Sequence, residues 1–241
     1  MKTLVRRLLK HGALAAYGPL RSTLSAVGLN VKGAYELAYW RSRRLEEGVL
    51  KNDWYVKTFT EHAGLERRFY DGKRILDVGC GPRGSLEWAD TAAERVGLDP
   101  LVGRYRSLDI DRHAMRYVEA PAERIPFPDD HFDVVTSINS LDHVEDVDAA
   151  IREMVRVLAP GGLILLVVEI HPRPTIAEPH VLPWNLVSRF GSGVRVIEER
   201  HLAKPTDGTN TLGRVLETRR PFEHGAGSDP SGIFFAKLVK A

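Results

Sequence analysis

An apolar strand that runs straight into a glycine-rich turn is the feature that most constrains this sequence. Residues 75–85 read ILDVGCGPRGS, and a helix is predicted to follow the turn. Glycine lets the backbone turn sharply and approach a ligand closely. Open α/β sheets bind their ligands at the carboxyl ends of such strands. The spacing Gly79-x-Gly81-x-x-Gly84 also fits a dinucleotide-binding loop, so these glycines alone do not identify the ligand.

Short apolar runs alternate with amphipathic stretches from Gly72 onward, which predicts parallel β-α-β units with helices on both faces of a sheet. We predict strands over 73–78, 95–98, 115–119, 132–138, 162–169, 194–200 and 233–239, and helices over 33–47, 52–63, 85–93 and 147–158. Residues 203–231 are rich in Gly, Pro, Ser and Thr. A stretch of that length is expected to be a functional loop or a poorly ordered one.

The composition is that of an ordinary globular protein. The chain has 241 residues, 43% hydrophobic and 27% charged, which suffices for a full core. Its one cysteine, Cys80, cannot form an intramolecular disulfide, so a reducing cytoplasm is the expected location. The longest apolar run, residues 163–168, is far below the roughly 20 residues that a bilayer requires. We expect neither a signal peptide nor a membrane span.

The net charge of +2 hides an uneven distribution. Residues 1–44 carry nine Lys or Arg and one Glu, a net +8, which leaves −6 for the remaining 197 residues. Apolar and basic residues alternate at helical spacing over the first ten positions. We therefore predict a basic helical appendage over 1–47 and a main domain over 48–241. Residues 1–16 either contact an anionic membrane surface from the cytoplasmic side or pack on the domain.

Three acidic features distinguish this chain from a dinucleotide-binding protein. Asp77 lies two residues before the first glycine, where a carboxylate suits a cationic ligand better than a pyrophosphate. Asp99 ends the next strand, about twenty residues on, where an acid accepts hydrogen bonds from ribose hydroxyls. An acid- and proline-rich segment, residues 119–133, then leads into the strand at 132–138.

With these segments in this order, the chain resembles a class I S-adenosylmethionine-dependent methyltransferase over residues 70–170. The resemblance rests on four motifs: 76–81, 97–100, 122–127 with 132–135, and 153–162. It implies an α/β, Rossmann-like, seven-stranded and mostly parallel sheet with an antiparallel C-terminal hairpin, helices on both faces and an N-terminal helical appendage. Residues 203–231 would then be an insertion or a lid loop at that hairpin.

The resemblance also implies S-adenosylmethionine as cofactor and assigns residues to it. The first glycine loop would hold the methionine part, the acid after the second strand the ribose, and the following residues the adenine. The residues after the fourth strand would approach the methionine side. The implied cofactor-binding residues are Asp77, Gly79, Gly81, Asp99, Pro100, Ala122, Glu123, Ile138 and Asn139.

The sulfonium already activates the methyl group, so alignment and exclusion of water do most of the catalysis. A hydroxyl or amine acceptor usually also needs a base. The candidates are His143, His171 and Glu169, on the loops after strands four and five, because histidine titrates nearest neutrality. The alternatives are a structural or cofactor-side role for His143 and a non-catalytic role for His171. Glu178 and His180 follow nearby, but their spacing matches no metal signature, so no metal is predicted.

The polar loops favour a hydroxylated acceptor, either a small molecule or a sugar. They resemble those of bacterial methyltransferases of cell-surface glycan synthesis. Nucleic acid is disfavoured as a partner, because residues 139–142 read NSLD rather than a sequence of the Asn-Pro-Pro-Tyr type. Three alternatives stay open: methylation of a lipid, quinone or aromatic compound, a non-catalytic S-adenosylmethionine-binding module, and a nicotinamide-dependent enzyme.

Overall fold

The computed structural model describes residues 31–205, 211–225 and 231–241. Its seven strands are β1 (Arg74–Val78), β2 (Glu94–Leu98), β3 (Arg116–Val118), β4 (Phe132–Ile138), β5 (Leu158–Ile170), β6 (Val194–Ala203) and β7 (Gly232–Lys240). They form one sheet in the order β3-β2-β1-β4-β5-β7-β6. Strands β1 to β5 pair in parallel, and β7 pairs antiparallel with both β5 and β6. The predicted fold class is confirmed.

Five α-helices accompany the sheet in the described ranges: α1 (Val31–Glu47), α2 (Asp53–Phe59), α3 (Val102–Tyr105), α4 (Val147–Val157) and α5 (Leu212–Thr218). Helix α4 begins at an aspartate that caps it, since Asp146 Oδ1 accepts the backbone N–H of Ala149 at 3.0 Å. Such a cap contributes about 1 kcal/mol. None of the helices in these ranges is long and apolar enough to cross a membrane.

The alternation of side chains along the strands builds a core on each face of the sheet. On β5, Ile164 and Leu166 face one side and Leu165 and Val167 the other, as the two-residue period of a strand requires. The first face packs against α4, and the second packs against α2 and α5. Strand β5 is therefore apolar on both faces, which is typical of a sheet covered by helices on both sides.

The helix predicted over residues 85–93 is wrong. This segment is a series of turns, with hydrogen bonds such as Glu87 N–H to Gly84 O at 3.1 Å spanning three residues. Two side chains of this segment form hydrogen bonds with distant parts of the chain. Ser85 donates to Asp77, and the carboxylate of Glu87 accepts the N–H groups of two residues before β3. These tertiary contacts outweigh the helical periodicity of the sequence.

The predicted insertion at 203–231 contains helix α5. Its Val215 and Leu216 are buried against the second face of the sheet, so this part of the segment belongs to the core. Thr211, Leu212 and Ser231 line the cleft that is analysed below. The amphipathic helix and the membrane contact predicted within residues 1–16 lie outside the described residues. The division at residue 47 stays a prediction.

The interior position of β5, with a paired strand on each side, makes its side chains sensitive to truncation. Leu165 is fully buried, whereas Leu45 on α1 is 87% exposed, so Leu165→Ala and Leu45→Ala remove the same atoms from opposite environments. We expect Leu165→Ala to lower the free energy of unfolding by about 2–5 kcal/mol. Leu45→Ala should change it by less than about 0.5 kcal/mol. Urea denaturation measures both, and equal losses would contradict this description of the core.

Candidate active site

A cleft of about 1290 Å³ opens where the parallel strands end. The last residues of β1, β2 and β4 (Val78, Leu98 and Ile138) and Glu169 near the end of β5 all line it. Helix α1 supplies the opposite wall. The cleft forms here because parallel strands bring their carboxyl ends, and the loops that follow them, to one edge of the sheet.

The glycine loop after β1 approaches its neighbours too closely for side chains. Gly79 has φ +74°, and a Cβ placed on it would lie 2.3 Å from the Cβ of Ser140. Gly81 has φ +57°, and its Cβ would lie 3.1 Å from Cζ2 of Trp40 on α1. Ser140 also donates a hydrogen bond of 2.7 Å to Val78 O. The loop is thus held between the end of β4 and α1.

Asp77 lies beneath this loop and is not among the described residues that line the cleft. Its Oδ1 accepts a hydrogen bond of 2.6 Å from Thr136, and its Oδ2 accepts one from Ser85. Burial raises the pKa of Asp77 to about 6, although the two hydroxyl donors favour the charged form. In this structure Asp77 holds β1, β4 and the turn after the glycine loop together.

Asp99 connects two loops of the cleft. Its Oδ2 accepts the N–H of Gly81 at 3.1 Å, and its Oδ1 accepts the N–H of Leu101 at 2.9 Å. Burial raises the pKa of Asp99 to about 7, and the nearby Glu36 carboxylate adds to this effect. The carboxylate lies in the cleft wall at the end of β2, where a ribose is expected to bind.

Eight of the nine residues predicted to bind the cofactor line one continuous cleft, namely Gly79, Gly81, Asp99, Pro100, Ala122, Glu123, Ile138 and Asn139. Glu123 is itself held in place, because its Oε1 accepts the N–H groups of Glu145 and Asp146 at 2.5 and 3.0 Å. The structure thus brings these residues together, while their role in cofactor binding stays a prediction.

A cluster around Arg156 explains why two distant motifs occur together. Arg156 donates to the backbone oxygens of Ile125 and Phe127, both at 2.9 Å. Glu153, one turn earlier on α4, pairs with Arg156 at 2.6 Å and accepts the N–H of Ile125 at 2.8 Å. The motif at 153–162 therefore holds the loop at 122–127 that carries the Ala122–Glu123 side of the cleft.

Sequence reasoning missed most of the contribution of α1. Glu47 on this helix forms a double hydrogen bond with Arg83 of the glycine turn, with both N–O distances 2.8 Å. The hydrogen bond from Arg83 lowers the pKa of Glu47 to about 2, so the pair is ionised. The Arg83 guanidinium also lies over the Trp40 ring, 5.3 Å from its centroid.

The loops after β4 and β5 place the three base candidates in the cleft wall. Nδ1 of His143 lies 3.4 Å from Glu36 Oε1, and its Nε2 lies 3.9 Å from Asp142 Oδ1. Burial lowers the pKa of His143, but Glu36 and Asp142 outweigh this effect, so its pKa is raised. Glu169 forms an ion pair with Lys204, the residue after β6. Sequence reasoning did not identify Glu36 or Lys204.

Both nitrogens of His171 face other protein groups. Its Nδ1 bonds to Arg173 O at 2.7 Å, and its buried Nε2 lies 3.6 Å from Asp142 Oδ2. The interaction with Asp142 raises the pKa of His171 despite its burial. Asp142 is fully buried, and neither of its carboxylate oxygens has a hydrogen-bond partner among the described residues. Sequence reasoning gave Asp142 no role.

Comparisons with known proteins find similar methyltransferases. Residues 76–166 match a family described as a methyltransferase domain. Among curated proteins, the ubiquinone/menaquinone biosynthesis C-methyltransferase UbiE of Pseudomonas putida is 39% identical over 110 residues, and its Pseudomonas aeruginosa counterpart is 38% identical. The alignment takes in 39% of this chain and 41% of the relative, so the chain covers less than half the length of these relatives.

Solved structures share the fold at lower sequence identity. An S-adenosylmethionine-dependent methyltransferase from Mesorhizobium loti is 22% identical with a TM-score of 0.54, covering 74% of this chain and 94% of its own. The N-methyltransferase NodS from Bradyrhizobium japonicum, solved with S-adenosylhomocysteine, is 16% identical with a TM-score of 0.50. That alignment covers 75% of this chain and 85% of NodS.

The close approach of Gly79 to Ser140 can be tested by adding one methyl group. Gly79→Ala places a Cβ where Ser140 already lies and keeps a positive φ, so the loop must shift. We expect the affinity for S-adenosylhomocysteine, measured by calorimetry, to fall at least about tenfold, or about 1.4 kcal/mol. Gly161→Ala is the matched control, since Gly161 has φ +72° with nothing within 4 Å. Unchanged affinity in Gly79→Ala would contradict the assignment of this loop.

The raised pKa of Asp99 predicts a stability profile. Between its ordinary pKa of 3.8 and about 7, the folded state keeps a proton that the unfolded state has lost. The free energy of unfolding should therefore fall as the pH rises through this window. Asp99→Asn is expected to flatten the profile, leaving the smaller slope due to Asp77. Urea denaturation at several pH values measures this.

Asp90→Asn is the control for this profile, because its side chain is 66% exposed and pairs with Arg67 at the surface. It should keep the slope of the unmodified protein. An Asp99→Asn profile as steep as that of the control would show that Asp99 titrates normally in the folded state.

Proposed function

Because residues 76–166 belong to the class I S-adenosylmethionine-dependent methyltransferase superfamily, we propose that this protein transfers the methyl group of S-adenosylmethionine to a small hydroxylated acceptor in the cleft. The family resemblance predicted from the motifs is confirmed. S-adenosylmethionine is the cofactor of this superfamily. The single observation that supports the proposal is one cleft with the cofactor residues at one end and a polar group of side chains at the other.

The proposed reaction is a direct displacement. A lone pair of the acceptor oxygen forms the new bond to the methyl carbon while the carbon–sulfur bond breaks, which yields a methyl ether and S-adenosylhomocysteine. The hydroxyl proton leaves to a base or to solvent. Walls formed by α1 and by the loop at 175–178 limit the access of water to the cleft, as this reaction requires.

Among the three base candidates, Glu169 suits the role best. Its side chain is 32% exposed and lines the cleft, whereas the unpaired nitrogens of His143 and His171 are buried. A base must come within hydrogen-bond reach of the proton that it removes. We therefore assign proton removal to Glu169, which Lys204 holds in place, and a positioning role to the two histidines.

The polar residues at the acceptor end favour a hydroxylated acceptor such as a sugar. Glu169, Glu178, Lys204 and Thr211 offer both donors and acceptors of hydrogen bonds there. The second candidate is C-methylation of a quinol, and the names of the UbiE relatives favour it. Those relatives are not named for glycan synthesis. Membrane contact through residues 1–16 and a cytoplasmic location stay predictions, and either acceptor class could be carried at a membrane.

Radiolabel transfer from S-adenosylmethionine to sugars, lipid-linked glycans and demethylated quinols tests the proposal. We expect transfer to a sugar hydroxyl, and Glu169→Gln should lower kcat by about 10²–10⁴-fold without changing the affinity for S-adenosylhomocysteine. Glu66→Gln, at an exposed residue outside the cleft, is the matched control. Transfer to quinols alone would refute the sugar assignment. Cofactor binding without transfer to any acceptor would favour a non-catalytic module.

A further inference from the structure

The acceptor end contains a group of three side chains that take no part in the proposed proton removal, one of them fully buried and two partly buried. We call Asp142, His143 and Glu178 the Asp142 cluster. One ligand atom from each lies within 4.8 Å of the others. Asp142 is fully buried with both carboxylate oxygens unpartnered among the described residues, and His143 Nε2 is buried and unpartnered as well. Leaving such groups unpaired costs about 1–3 kcal/mol each, and more when they are charged.

The hydrogen bonds around the two histidines determine where their protons lie. Nδ1 of His171 faces the carbonyl oxygen of Arg173, which only accepts, so this nitrogen carries a proton. Nδ1 of His143 faces the Glu36 carboxylate and carries a proton for the same reason. In each neutral ring the other nitrogen, Nε2, then presents a lone pair to a carboxylate oxygen of Asp142. Facing lone pairs require a cation between them. At His171, which lies outside the group of three, that cation is a proton on Nε2, and at His143 it is a proton or a metal ion.

At His143 the geometry leaves room for a metal ion. Nε2 of His143 lies 3.9 Å from Asp142 Oδ1. Two ligands bound at about 2.1 Å in a tetrahedral site lie roughly 3.4 Å apart. The three ligand atoms, which lie within 4.8 Å of one another, must therefore draw together by up to about 1.4 Å to close the site. Two further side chains, one carboxylate and one hydroxyl, orient the ligands. Glu36 accepts from the outer nitrogen of His143, as a second-layer carboxylate does in many metal sites, and Thr175 donates to Glu178 Oε2 at 3.0 Å.

We propose that the Asp142 cluster binds one divalent metal ion, with Asp142, His143 and Glu178 as ligands. His171, on the other side of Asp142, orients that carboxylate. One imidazole and two carboxylates favour Mn²⁺, Fe²⁺, Co²⁺ or Zn²⁺ over Mg²⁺ and Ca²⁺. His143 and Glu178 line the cleft, so the remaining coordination positions open toward the acceptor.

A catalytic role for this metal ion rests on the proposed function. A hydroxyl group bound to the ion has a lowered pKa, so its proton leaves readily to Glu169 or solvent. The oxygen then attacks the methyl carbon as the carbon–sulfur bond breaks, and the oxidation state of the ion does not change. This metal-binding role gives a reason for two histidines beside the cleft whose Nε2 atoms are buried and without a hydrogen-bond partner among the described residues.

A second histidine cluster provides the internal control. His201 bonds to His224 at 2.7 Å and to Glu199 at 2.8 Å, so both of its ring nitrogens already have partners. This group lies outside the lining of the cleft. It could still take up ions weakly, and His224→Gln removes that contribution without touching the Asp142 cluster.

The experiment is a titration of the metal-stripped full-length protein with Co²⁺ and Mn²⁺, without acceptor or cofactor. Calorimetry gives stoichiometry and affinity, and the visible absorption of Co²⁺ reports its coordination. We expect one ion per chain. Glu178→Gln and His143→Gln should each weaken binding by about 10–100-fold, whereas His224→Gln should leave this site unchanged. Asp142→Asn is a further variant, and Glu178→Gln, on a partly exposed loop residue, carries the test if Asp142→Asn does not fold.

Saturable binding that is lost in the cluster variants and kept in His224→Gln supports the site, whether or not the protein methylates any acceptor tested. Absence of binding, or binding that only His224→Gln removes, overturns it. Methyl transfer that survives metal chelation, together with absence of binding, refutes the metal site and leaves the proposed function standing. The two proposals therefore fail separately.

Discussion

No side chain fits between the glycine loop after β1 and the loop after β4, and the site depends on this close approach. A Cβ on Gly79 would lie 2.3 Å from that of Ser140. The loop therefore lies directly against the end of β4, and its backbone turns toward Asp99, which accepts the N–H of Gly81. With the loop so held, the ends of three neighbouring strands form one continuous wall.

The second determinant is a set of ion pairs that fasten the surrounding parts to this wall. The Arg83–Glu47 pair joins the glycine turn to α1, with side chains only 9% and 12% exposed. Such doubly hydrogen-bonded, largely buried pairs orient their partners well, whereas most surface pairs contribute little. The Arg156 cluster does the same for the loop at 122–127. Two arginines thus fix the walls on the side where the cofactor is predicted to bind. Arg83 holds α1, and Arg156 holds the loop at 122–127.

The acceptor end is built differently, from buried polar groups that are not fully paired. Asp142 has no partner for either oxygen within the described ranges, and two imidazole nitrogens face it. A protein tolerates such a group where a ligand, ion or proton completes it. The same end contains the partly buried Glu169–Lys204 pair. The acceptor end therefore calls for a ligand, an ion or a proton.

The sequence by itself indicated the seven strands, because alternating apolar runs are local properties of the chain. The residues from Gly79 to Asn139 that line the cleft were implied by the family resemblance, which rests on motifs within the same strands and loops. Helix 85–93 failed because the bonds of Ser85 and Glu87 go to distant residues. Only the tertiary structure placed α1 over the cleft and turned Asp142 toward two histidines, since these contacts join residues up to 107 positions apart.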